Sequence, residues 1–250
     1  MSFVSVSIDD GIATVVLGRG KVNALNEETV GQLRAAFEDL EKDDRVRAVI
    51  LTGRGKFFSF GFDIPEFMSY SEDAFTRYLT GFTGLYTYLF VFPKPVVAAL
   101  NGHTIAGGCM LAIACDRRLM VAGKAKISLN EITFGSSVFA GSVEMLKYCI
   151  GSRNAESFIC GGAMYTAEQA KEIGLIDLVC GEDDLMREAV RLAREFAENN
   201  AAAFTGIKHL LRKPVAQEMI EREKDSIRRF VEIWYSDETR SMLKKIKIHS

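Results

Sequence analysis

The chain of 250 residues is 48% hydrophobic and 26% charged, enough apolar content to bury a full core as one α/β domain or as a core with an appendage. That balance excludes a disordered or coiled-coil protein. A formal net charge of −2, with 31 Lys and Arg spread along the chain, provides no basic face and argues against a nucleic-acid partner.

Residues 4–8 and 12–17 read as a strand pair around Asp9-Asp10-Gly11, a hairpin signal. A first helix follows, capped by Asn26, with Val30, Leu33, Phe37 and Leu40 on one face at helical spacing. Residues 46–51 form a short β-branched run that ends at Thr52-Gly53, and residues 55–63 are too aromatic for an ordinary surface loop. The next helix is predicted from about 72 to 90, stopping before Pro93. Residues 95–102 read as a buried strand and 106–116 as a helix opened by Gly107 and Gly108. A third strand pair, 118–121 and 126–129, leads to Glu131. The first two-thirds of the chain thus repeats a loose unit of strand, turn, strand and helix, without a strict sequence repeat.

Beyond Glu131 the pattern turns helical: 141–150, 154–160, 167–173, a short strand at 176–179, then 185–199 and a continuous helix over 201–248. Met219, Ile220, Ile227, Phe230, Val231 and Trp234 exceed what a solvated tail carries. Residues 201–250 are therefore expected to pack on a core of residues 1–200 or on a neighbouring subunit.

Cys109, Cys115, Cys149, Cys160 and Cys180 contain no Cys-x-x-Cys pair, and His103, His209 and His249 give no metal-ligand spacing. Reduced, packed thiols and no bound metal are expected. Residues 1–8 lack the basic and apolar regions of a signal peptide, no apolar run reaches membrane-spanning length, and residues 248–250 are not Ser-Lys-Leu, so a cytoplasmic location with no membrane partner is expected.

Two segments carry the pattern of a strand turning through glycine into a helix: Phe60-Gly61-Phe62-Asp63 and Ala106-Gly107-Gly108. Such turns leave free N–H groups at a helix N-terminus, and two of them converging on one carbonyl oxygen make an oxyanion hole. Singly, each pattern is more often just a turn. Glu131 follows a strand, where a carboxylate is ordinarily solvated. Its neighbours Leu129, Ile132, Phe134, Val138 and Phe139 instead predict an apolar setting that raises its pKa and suits it to general-base work.

Together, residues 53–64, 93–102, Ala106-Gly107-Gly108-Cys109, Ala114-Cys115-Asp116, Leu129-Asn130-Glu131 and residues 170–177 resemble the crotonase (enoyl-CoA hydratase/isomerase) superfamily, in the right order over about residues 3–240. The resemblance implies an α/β spiral of ββα turns and a C-terminal helical region that builds a homotrimer or a dimer of trimers. It also implies an acyl-CoA thioester as substrate, with no separate cofactor because coenzyme A is part of that substrate. It places the oxyanion-hole N–H groups at Phe62 and Gly107. The coenzyme A and substrate site falls at Lys21, Val22, Phe60, Gly61, Asp63, Ile64 and Asn130, and the acyl pocket at Met110, Phe134 and Phe139.

Departures from the family pattern choose among its reactions. Hydratases resembling this chain use two glutamates, and the first position here is Met110, whose thioether cannot accept a proton from water. A single glutamate at Glu131 is similar to the Δ3,Δ2-enoyl-CoA isomerase branch, in which one carboxylate moves a proton from C2 to C4. Phe62 is bulkier than usual for its position, and Val138-Phe139 replaces a frequent Pro-Gly. Hydration, thioester hydrolysis, decarboxylation and a catalytically weak acyl-CoA-binding role are the alternatives.

Overall fold

The computed structural model describes residues 2–245. Strands β1 (Val4–Asp9) and β2 (Ile12–Leu17) form the expected antiparallel hairpin, and both turn residues, Asp10 and Gly11, have positive φ. That is the two-residue Asp-Gly turn whose twist matches the strands it joins. Helix α1 (Glu27–Lys42) starts at Asn26, whose side chain accepts the Thr29 N–H, and it buries Val30, Leu33, Phe37 and Leu40.

Three further ββα turns follow. They are β3 (Ala48–Gly53) and β4 (Phe57–Ser59) with α2 (Ile64–Phe67) and α3 (Glu72–Phe90), then β5 (Val96–Leu100) and β6 (His103–Ile105) with α4 (Gly107–Ala114). The last is β7 (Arg117–Val121) and β8 (Ile127–Ser128), followed by a 3-10 turn (Glu131–Phe134) and α5 (Ala140–Gly161). The remaining elements are α6 (Ala167–Glu172), β9 (Leu178–Cys180), α7 (Leu185–Ala197), α8 (Ala201–Trp234) and α9 (Asp237–Leu243).

One sheet has six strands in the order β1-β2-β3-β5-β7-β9, parallel from β2 onward, and the other is β4-β6-β8. The expected pair at 118–121 and 126–129 is therefore split between two sheets. Strands β3, β5 and β7, and likewise β4, β6 and β8, pair with their equivalents in successive turns, which stacks the turns into a spiral. Strands covered on both faces need apolar runs rather than alternation, and β5 is buried along its whole length.

The predicted helices 141–150 and 154–160 are the two limbs of α5, bent at Gly151, where φ is 74° and ψ 160°. The continuous helix expected over 201–248 is interrupted. Ser236 accepts the Thr239 N–H and starts α9 as a separate helix, while residues 246–248 and His249 lie outside the described residues. Both C-terminal helices pack on their own chain. Helix α8 crosses α3 and α5, and Lys208 and Arg212 reach the buried Asp116 carboxylate at 2.7 and 3.3 Å. Four thiols are wholly or partly buried, but Cys160 is exposed because it lies on the outer face of α5. No described helix is long and apolar enough to cross a membrane.

Candidate active site

The segment after β4 is shaped by glycine. Gly61 has φ 86°, and a Cβ there would lie 2.9 Å from the Ile105 carbonyl oxygen and 3.0 Å from the Gly107 nitrogen. A side chain at Gly108 would lie 2.5 Å from the Ser59 carbonyl oxygen. The two candidate donor loops are thus packed backbone to backbone, a distance only glycine allows.

Hydrogen bonding around Phe62 leaves its N–H without an acceptor among the described residues. The Gly61 N–H donates to Ser59 Oγ at 3.1 Å, the Leu25 N–H to the Gly61 carbonyl at 2.8 Å, and the Asp63 N–H to the Leu25 carbonyl at 3.0 Å. At the second loop the Ala106 N–H donates to the Ser128 carbonyl, and the Met110 N–H to the Ala106 carbonyl in the first bond of α4. Gly107 opens that helix, so its N–H belongs to the unsatisfied first turn. Ala106 itself adopts φ 49°, ψ −120°, a conformation costly for a residue with a Cβ. Strain is thus held next to a free donor.

Glu131 opens the 3-10 turn after β8 and is only 4% exposed. Its Oε2 has no hydrogen-bond partner among the described residues. Burial pushes its carboxyl up to about 8, against a smaller downward effect from its own backbone N–H. Most of the apolar setting is as expected: Leu129 and Phe139 are buried, and Phe134 and Val138 partly so. Ile132 is not part of it. It stands on the outer side of the short turn and is 50% exposed.

A cavity of about 490 Å³ brings Phe60, Phe62, Ile64, Asn130 and Glu131 together with Phe134 and Phe139. Glu131 is the only carboxylate on its wall among the described residues. A larger groove, about 1190 Å³ between α3 and α8, contains neither Glu131 nor the donor loops.

Six expected site residues are not on the cavity wall: Gly61 and Gly107 adjoin Phe62 and Ala106, which are on it, and four others lie elsewhere. Met110 is 1% exposed and is not on the cavity wall, because every residue of α4 is buried and Met110 packs into the core. Asp63 is committed to structure: its carboxylate caps α2 at the Glu66 N–H and pairs with Arg19 at 2.6 Å. Lys21 is exposed and Val22 half-buried, both off the cavity wall, although the Val22 carbonyl accepts the Phe60 N–H at 2.9 Å. Val22 thus supports the Phe60 loop from behind. The far wall comes instead from Phe230, Trp234, Met242 and Lys245. Phe230 and Trp234 carried an apolar signal in the sequence, but nothing local tied residues so distant to Phe62.

The comparisons with known proteins agree with this architecture. Residues 7–246 match the sequence model of the enoyl-CoA hydratase/isomerase family. The 2,3-dehydroadipyl-CoA hydratase of Escherichia coli is 33% identical over 215 residues, covering 85% of this chain and 83% of that protein. The mitochondrial enoyl-CoA hydratase of Pongo abelii is 34% identical over 192 residues, covering 76% of this chain and 64% of that protein. The crystal structure of human mitochondrial Δ3-Δ2-enoyl-CoA isomerase superposes with a TM-score of 0.92 at 27% identity, covering 97% of this chain and 96% of that one. With a spiral of ββα turns in the same order and a matching sequence over nearly its whole length, the chain belongs to the enoyl-CoA hydratase/isomerase family, within the crotonase superfamily.

Proposed function

We propose that the chain is an isomerase that moves the double bond of a 3-enoyl-CoA into the 2-position. The observation that carries the reading is the cavity wall, where Glu131 is the single carboxylate among the described residues and stands among aromatic rings. The Phe62 and Gly107 N–H groups receive the thioester oxygen. The Glu131 carboxylate takes a proton from C2, the electron pair of that C–H bond moves into the C1–C2 bond, and the thioester oxygen takes the negative charge of a dienolate. The protonated Glu131 then gives the same proton to C4, and a C2–C3 double bond forms as the charge returns from oxygen. One acid/base group suffices because the proton leaves and returns on one face. Apolar walls keep out the water that would intercept the dienolate.

Hydration is the second reading, favoured by the hydratases among the relatives. It requires a group to activate water besides the one that protonates C2, and Met110 stands where such hydratases place the first glutamate. Incubation with 3-enoyl-CoA and 2-enoyl-CoA separately decides between them. Isomerisation gives a conjugated product of unchanged mass with a rise in ultraviolet absorbance, whereas hydration of 2-enoyl-CoA adds one water and loses that absorbance. Dominant turnover of 2-enoyl-CoA overturns the isomerase reading.

We further propose that the subunits assemble as a trimer or a dimer of trimers. Support comes from the outer side of α8, where Ile207, Leu210 and Leu211 are exposed.

A further inference from the structure

Helix α5 begins where the cavity wall ends, and its start is unusual. The N-cap residue is Phe139, which has no oxygen with which to cap, and its buried ring lies on the cavity wall instead. Ser, Thr, Asp or Asn in that position would satisfy the first helical N–H groups locally. Ser142 Oγ accepts only the Phe139 N–H, at 3.2 Å, and the acceptors for the Ala140 and Gly141 N–H groups come from α8, more than eighty residues further along the chain. Glu223 Oε2 accepts the Gly141 N–H at 2.9 Å, and Ser226 Oγ accepts the Ala140 N–H at 3.0 Å. Tyr86 of α3 donates to the same Glu223 oxygen at 2.9 Å, and Ser226 donates to Glu223 Oε1 at 3.0 Å. A Cβ at Gly141 would lie 2.5 Å from Tyr86 Cε2 and 2.6 Å from Glu223 Oε2, so the cluster closes only over glycine.

The same face of α8 continues into the cavity. Seven and eleven residues after Glu223, two and three helical turns along, come Phe230 and Trp234. The Phe230 ring centroid lies 4.5 Å from that of Phe139, and the Phe139 ring in turn lies 6.3 Å from that of Phe62, which supplies a candidate oxyanion donor. One helix face therefore both caps α5 and presses on the ring at its start.

We propose that Glu223 and Ser226 are positioning residues that set where Phe139 stands, and through it how long an acyl chain the cavity accepts. This rests on the acyl-CoA reading of the cavity given above. Moving the capping function to α8 frees the residue before α5 to be aromatic. Loosening those caps lets the start of α5 fray and the Phe139 ring withdraw, which lengthens the cavity.

Butanoyl-, octanoyl- and dodecanoyl-CoA, saturated and therefore inert to isomerisation, are titrated by calorimetry into the wild type and variants. Glu223→Ala is expected to shift the ratio of dissociation constants toward longer chains by about tenfold, the lower end of what one methylene decides in an apolar pocket. Ser226→Ala, a milder change that removes one cap, shifts it in the same direction by less and serves where Glu223→Ala does not fold. Glu223→Gln keeps an acceptor for Gly141 and restores the wild-type ratio. Lys208→Met, which breaks the buried pair with Asp116 at the other end of α8, lowers the melting temperature and leaves the ratio unchanged. If Glu223→Ala and Ser226→Ala lower the melting temperature but keep the wild-type ratio, the residues are structural only and the proposal fails. If the wild type binds none of the three thioesters, the acyl-CoA reading itself is wrong.

Discussion

Thr239 Oγ1 donates a hydrogen bond of 2.6 Å to the carbonyl of Gly135, four residues after Glu131. The bond joins α9 to the turn that presents the candidate base. Gly135 closes that turn in the left-handed conformation at φ 72°, and a Cβ there would meet Met242 Sδ at 3.0 Å. Thr239 is buried, so its hydroxyl has no water to fall back on. Thr239→Val keeps the shape and leaves the Gly135 carbonyl without this donor, which is expected to cost about 1–3 kcal/mol. Chemical denaturation measures the loss, and a variant as stable as the wild type would show that α9 does not brace the Glu131 turn.

The donor loops predict an asymmetry between Gly107 and Phe62. A Cβ at Gly107 would sit 3.0 Å from the Phe62 ring, so Gly107→Val displaces the loop proposed to bind the substrate oxygen. Removing one oxyanion donor typically lowers kcat by about 10²- to 10³-fold, and that is the loss expected here. On the proposed reading Phe62 acts through its backbone, while its ring packs edge-on against Tyr78 and Phe82. Phe62→Ala is expected to destabilise the fold by about 1–3 kcal/mol, because the ring is only partly buried, while changing KM more than kcat. Steady-state kinetics of folded Gly107→Val decides the first point: near wild-type kcat removes Gly107 from the site.

Helix α8 makes a separate prediction on its outer side. Leu210 is 81% exposed beside Ile207 and Leu211, whereas the residues facing the core, such as Met219 and Phe230, are buried. Leu210→Glu is expected to reduce the assembled species in light scattering without lowering the melting temperature of the monomer. An unchanged trimer would place the subunit contact elsewhere.

Local chemistry made the elements and half of the site legible in the sequence. Asn26 before an apolar period marked α1, Asp10-Gly11 marked the first hairpin, and glycines after short strands marked both donor loops. Ser236 was missed as a break because the apolar period runs across it, and a single capping serine is a weak local signal. Met110 was misplaced because position in a motif says nothing about which way a side chain faces on a helix buried all round. Phe230 and Trp234 were recognised as buried but not as cavity wall, since their neighbours there come from α3 and the start of α5. Asp63 read as a binding residue from its place beside Phe62, yet Arg19 and the first turn of α2 already occupy its carboxylate.

Glu131 ties activity and stability to pH in opposite directions. Its carboxyl titrates near 8 in the fold and near 4.5 in an unfolded chain. The basic form needed for C2 deprotonation increases as pH rises through about 8, so kcat/KM is expected to climb across that range and level off above it. Between pH 4.5 and about 8 the folded state holds a proton that the unfolded state has lost, so the unfolding free energy falls as pH rises across this window. At about 1.4 kcal/mol per pH unit, the contribution lost is at most about 5 kcal/mol. Glu131→Gln keeps the shape and cannot ionise. It is expected to lower isomerisation by about 10²- to 10⁴-fold, to keep acyl-CoA affinity, and to melt close to the wild type at pH 5 but above it at pH 9. Thermal denaturation at both pH values, with kinetics on 3-enoyl-CoA, tests the two effects independently. Equal melting temperatures at pH 9 would mean that Glu131 ionises in the fold without cost, and isomerisation surviving in Glu131→Gln would mean that another group moves the proton.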